Sequence, residues 1–184
     1  MDRRQKKSRV AIFRAFSELL AEKNVQNITV GQIIERADVG RATFYAHFET
    51  KEYLLKALCE ELFCHVFDTL EDEEGHHHIF DCDAEVSVFE HIFMHLQNND
   101  HQLLKLLSGD NRAFFMPYFE EEVLLLVKKQ ADLFPKPGKL TEDYWHGFVA
   151  SAFIHALNWW LANGKNESPK QMAENFIVAV TRPN

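Results

Sequence analysis

The sequence predicts an all-α protein, and three observations carry that prediction. Apolar residues recur at three- and four-residue spacing along most of the chain, as in Ile12, Phe13, Phe16, Leu19 and Leu20. Residues 29–48 have the pattern of two short helices joined by a tight turn. A late stretch, Thr141 to Asn163, is apolar nearly all round, so a helix there must be buried on two sides.

In chain order, Arg3, Arg4, Lys6 and Lys7 form a basic arm. It suits either a nucleic-acid backbone or minor groove, or a disordered solubilising tail. The first helix is expected from Ser8 to about Lys23, and Asn24 to Ile28 connects it to the next. Thr29-x-x-Gln32 is a capping box, and Val30, Ile33, Ile34 and Ala37 then share one face. Asp38-Val39-Gly40 breaks that helix, with Val39 apolar inside the turn. Phe44 and Phe48, four apart, point inward from the next helix. Arg41, Ala42 and Tyr45 are left on the opposite side, with Thr43 and His47 on a flank.

That outward face has the chemistry of a recognition helix. Arg41 can bridge a guanine, Ala42 or the Thr43 methyl can meet a thymine methyl, and Tyr45 and His47 can reach phosphates. Lys51 opens the following helix, where its charge and the helix N-terminus together suit a phosphate. With Thr29 and Gly40 at the helix caps, these residues make the expected DNA-binding set, and the stretch is a helix-turn-helix.

The order Thr29-Val30-x-x-Ile33, Ala37-x-Val39, then Thr43-Phe44-Tyr45-x-His47-Phe48-x-x-Lys51-Glu52-x-Leu54 resembles the TetR/AcrR family of bacterial transcriptional regulators. The likeness covers about the first third of the chain. One position departs: the family usually carries serine or threonine where this chain has Gly40, which removes a hydroxyl that could touch phosphate. The resemblance implies an N-terminal DNA-binding domain, residues 1–56, and a C-terminal helical regulatory and dimerisation domain, residues 57–184.

Charge follows the same division. Residues 1–56 hold 11 Lys and Arg against 7 Asp and Glu, a surplus of four positive charges. Residues 57–184 hold 9 against 21, a surplus of twelve negative charges, so only the first segment suits phosphate. The three cysteines, Cys59, Cys64 and Cys82, show no metal-ligand spacing and fit a reducing compartment. The charged start has no apolar run behind it and no stretch approaches a membrane span, so a cytoplasmic location is expected and no membrane partner.

A fourth helix is expected from Lys51 to about Asp72, with Thr50 as cap and an apolar stripe from Leu54 to Leu70 longer than the small head needs. It would serve as a lever between sensor and head. A fifth helix, about Ala84 to Asn98, and a short sixth, about His101 to Leu107, follow. Asp110 to Phe134 is helical in pattern, and Pro117 either kinks one helix or opens a new one. Gly164 stops the long late helix, and Ser168-Pro169 opens the last. Both last helices carry more apolar surface than one side needs. The simplest account is a two-fold four-helix bundle made with a second copy, through Ile154, His155, Trp159, Phe176 and Val180. The resemblance implies the same homodimer. The segment Trp159 to Gly164 with Ser168-Pro169 and Met172-Ala173 further resembles a C-terminal domain of a Firmicutes-type branch of the family.

No phosphate-binding glycine loop, Gly-x-Ser-x-Gly or Cys-x-x-Cys is present, so no enzyme and no cofactor is expected. The resemblance implies a small-molecule effector in the second domain. Phe89, Phe93, Phe115, Tyr118, Phe119, Tyr144 and Phe148 would line its cavity, or else simply form core. Ten histidines are the one oddity. His91 and His95, with His76-His77-His78 and Cys64, His65, Asp81, Cys82 or Asp83, could assemble a metal site, or be ordinary surface and core histidines. The expected function is a dimeric repressor on a near-palindromic operator, released by an effector. The alternatives are control by a protein partner or metal ion, and a histidine-rich metal-binding protein.

Overall fold

The computed structural model describes residues 3–68, 87–97, 106–107 and 109–181. Among them every regular element is helical. The α-helices are α1 (Arg3–Glu22), α2 (Val30–Arg36), α3 (Arg41–His47), α4 (Lys51–Asp68), α5 (Val88–Gln97), α6 (Arg112–Lys129), α7 (Glu142–Ala162) and α8 (Pro169–Thr181). Single 3-10 turns follow α1 at Val25–Asn27 and α6 at Ala131–Leu133. By packing, the chain forms two units, Met1–Asp83 with Asp100–Met116, and Ala84–Asn99 with Pro117–Asn184.

In the first unit, α1 begins at Arg3, so the basic arm from Arg3 to Lys7 is helical. Ile12, Phe13, Phe16, Leu19 and Leu20 are its buried face. The Thr29–Gln32 capping box is formed in both directions, at 3.2 and 3.1 Å. The turn after α2 is a Schellman motif. The Asp38 amide bonds to the Glu35 carbonyl and the Val39 amide to Ile34. Asp38 takes the left-handed position, at φ 51°, where glycine is the usual choice. Gly40 then caps α3 with ordinary backbone geometry and no side-chain hydrogen bond.

Phe44 and Phe48 are fully buried, and Phe48 packs edge-on to Phe13 at 5.2 Å. Fully burying a phenylalanine is worth about 1.5–3 kcal/mol, so this trio fixes α3 on α1. The guanidinium of Arg9 lies over both the Phe13 and Phe48 rings, at 4.8 and 5.3 Å. Thr50 caps α4 through the Tyr53 amide.

In the second unit, α5 packs against α8, and α8 against α7. Phe89 is the centre, in contact with Phe134, Phe153 and Phe176 at ring separations of 5.5, 5.1 and 5.0 Å. Thr141 caps α7. A second Schellman motif closes it: Gly164, at φ 77°, bonds to Leu161, and Lys165 to Trp160. Pro117 lies within α6 as an exposed residue at the boundary between the units, and the helix continues through it. Pro169 is the first residue of α8, where its missing N–H costs nothing.

Candidate nucleic-acid interface

The helix-turn-helix presents one polar, open face. On α3, Arg41, Ala42, Tyr45 and Ala46 are exposed, and Tyr45 retains 47% of its surface. Thr43 is half-buried on the flank. The inward residues Phe44 and Phe48 hold this seven-residue helix by packing, since a helix so short has little stability of its own. Thr29 is exposed at the start of α2, with its hydroxyl engaged in the capping box.

His47 is tied down rather than free. Its Nε2 lies 2.7 Å from the Ser8 hydroxyl on α1. That hydroxyl also donates to the Gln5 carbonyl at 3.0 Å. A hydroxyl has one proton, so with both bonds made His47 donates through Nε2 and Ser8 accepts. Partial burial, then the charge of Arg9, lowers the His47 pKa below its usual value.

Lys51, expected at a phosphate, is hydrogen-bonded within the chain. Its ammonium donates to the carbonyls of Val25, Gln26 and Ile28, at 2.9, 3.2 and 3.0 Å. An ammonium has three protons, and all three are used on the connector between α1 and α2. The reason is geometric. The 3-10 turn leaves its carbonyls pointing at the start of α4, and a lysine there satisfies them. The same connector is gripped from the other side by buried Asn111. Its side chain accepts from the Val25 amide at 2.6 Å and donates to the Leu20 and Lys23 carbonyls, each at 3.3 Å. Nothing local to Asn111 signals this role.

The family described as bacterial regulatory proteins, tetR family, matches residues 9–58, and the transcriptional regulator C-terminal region matches residues 86–182, more than half of the chain. A TetR transcriptional regulator from Streptococcus agalactiae 2603V is 32% identical, with a TM-score of 0.71, over 98% of this chain and 97% of that one.

The chain belongs to the TetR family of transcriptional regulators.

The uncharacterized HTH-type regulator YxbF of Bacillus subtilis (strain 168) is 27% identical over 96% of this chain and 45% of its own length. The chain thus spans less than half the length of the curated relatives it matches. RolR, solved in complex with resorcinol, shares the fold at 19% identity and a TM-score of 0.52, over 98% of this chain and 90% of that one.

The residues expected in an effector cavity of this TetR-family chain differ in burial. Phe115 is buried in the first unit. Phe89, Phe93 and Phe119 are fully buried in the second, where Phe93 packs edge-on to Phe153 and Trp160. Tyr118 is half-buried. Tyr144 and Phe148 face outward, 64% and 51% exposed, because α7 turns Trp145 and Val149 to the core instead.

Of the expected dimer residues, His155 and Trp159 are exposed and Ile154 and Val180 are half-buried. Phe176 is core: its ring is 3% exposed and packs on Phe89, Phe134 and Phe153. Tyr144, Phe148, His155 and Trp159 lie at spacings of four, seven and four, a single stripe along α7, and Val178 is exposed on α8.

His91 and His95 stack at 4.8 Å, with Nε2 atoms 3.2 Å apart. Burial, then the neighbouring His91, pushes His95 down to about 4. Most other residues expected at a metal site lie outside the described residues. Within these, no cluster of three histidine, cysteine or acidic side chains forms. No described helix is long and apolar enough to cross a membrane.

Proposed function

We propose that this TetR-family regulator is a homodimeric repressor that reads a near-palindromic operator with α3 and leaves it on binding a small-molecule effector. The observation that carries the reading is the open face of α3. Arg41, Ala42 and Tyr45 face solvent while Phe44 and Phe48 are locked inside. Arg41 is the base-reading residue, bidentate on guanine; Ala42 and Thr43 contact thymine methyl groups; Tyr45 reaches a phosphate.

Dimerisation runs along the α7 stripe of Tyr144, Phe148, His155 and Trp159. Three of these four side chains are large aromatics left uncovered by the chain's own core, as self-association requires. The effector binds in the second unit among its aromatic side chains and shifts α4. For release, it must bind the DNA-incompetent state better than the other. RolR shows that the same fold admits a small aromatic molecule.

The test is an operator-binding series. Arg41→Ala should relax preference at one base pair of each half-site and cost about 1–3 kcal/mol. Unchanged sequence preference in this variant would remove α3 as the reader.

A further inference from the structure

Between α1 and α3 lies an open groove of about 480 Å³, lined by Arg4, Gln5 and Ser8 on one wall and Thr43, Ala46 and His47 on the other. Arg41 and Tyr45 of the DNA-reading set lie outside it, while Ala42 and Thr43 border it. Its walls carry hydrogen-bond donors, the Arg4 guanidinium and the Thr43 hydroxyl. Ser8 and His47 bond to each other and so brace the walls instead of filling the space.

The field around the groove has one sign. From residue 3 to residue 14 the chain has six Lys and Arg and no Asp or Glu. Because α1 is helical from Arg3, these cations stand at fixed stations on a rod and not on a loose tail. The groove also shares Thr43 and Ala46 with α3, so its opening adjoins the face that meets the base edges.

We infer that this groove holds a backbone phosphate of the operator strand bordering the major groove that α3 enters, with Arg4 as its ligand. The inference rests on the reading of α3 as the DNA-reading helix. It adds a contact that positions that helix and carries no sequence information of its own. One anion seated against both α1 and α3 fixes the angle at which a seven-residue helix enters the duplex.

The test uses the full chain and an operator recovered by selection from random duplexes, with affinity measured across a range of salt. Arg4→Gln removes the charge and keeps the bulk. Ala46→Leu fills the groove and keeps the charge. Arg14→Gln, exposed on α1 away from the groove, removes the same charge elsewhere. Arg4→Gln should weaken binding about tenfold, lower the salt slope by about 0.9, and leave the selected sequence unchanged. Ala46→Leu should weaken binding to a similar degree with the melting curve unchanged, and Arg14→Gln should stay within about twofold of wild type.

Wild-type affinity in either Arg4→Gln or Ala46→Leu overturns the groove while leaving α3 as the reader. So does an Arg14→Gln loss as large as that of Arg4→Gln, which would make the effect a diffuse field. If wild type itself selects no duplex, the DNA-reading assignment fails and the groove falls with it.

Discussion

Lys51 makes contacts that its position in the sequence does not imply. At the first turn of α4 it has the address of a phosphate contact, but its three protons go to three carbonyls of the connector. Lys51→Met should therefore act on folding. We expect a loss of about 2 kcal/mol in denaturant unfolding, with the salt slope of DNA binding unchanged. A flattened slope at unaltered stability would return Lys51 to the phosphate. The residue scale also has a local cost. Asp38 sits in the left-handed region at φ 51°, so Asp38→Gly should stabilise the head by about 0.5–1 kcal/mol, measured the same way. His95 supplies a pH dependence. Its pKa is about 4 in the folded chain against about 6.5 when unfolded, so the unfolded state binds the proton more readily. Stability is full above about pH 6.5 and is lost as pH falls toward about 4. Unfolding at pH 7 and pH 5 should show the drop, and His95→Phe should shrink it.

At the scale of elements, what was legible in the sequence is what is local. The capping box at Thr29 and Gln32 needs only a three-residue spacing, and both of its bonds form. Phe44 and Phe48 are buried as a four-residue spacing requires. Thr141 and Gly164 bound α7 as their types dictate. What was not legible depends on partners distant in the chain. The acceptors of Lys51 lie 23–26 residues back, and those of Asn111 lie 88–91 residues back. The face of α7 shows the same limit. Apolar residues surround the helix, so periodicity could not say that Tyr144 and Phe148 turn outward, or that Phe176 of α8 turns inward. The Asn111 clasp predicts a large effect from a conservative change. Asn111→Leu keeps the branched shape but strips three hydrogen bonds from the connector backbone, and should cost about 2–4 kcal/mol in thermal or denaturant unfolding. A loss under 0.5 kcal/mol would mean that water replaces the clasp.

For the whole molecule, the division of labour follows from which surfaces stay open. Residues 1–56, with their surplus of four positive charges, carry the open reading helix, and the second unit carries an uncovered aromatic stripe. That stripe argues for two copies. Trp159→Glu should convert a dimer into a monomer in sedimentation velocity at micromolar concentration, with helix content retained; an unchanged sedimentation coefficient would place the interface elsewhere. It should also weaken operator binding strongly, because each monomer then meets only one half-site.

The central claim is that two copies of α3 read sequence together. The most direct measurement is selection of bound duplexes from a random pool at moderate salt, followed by sequencing of what is retained. The account predicts a near-palindrome with half-sites about one helical turn apart. Arg41→Ala should blur one position in each half. Retained duplexes with no common sequence, or one asymmetric half-site bound equally well by wild type and Trp159→Glu, would contradict it.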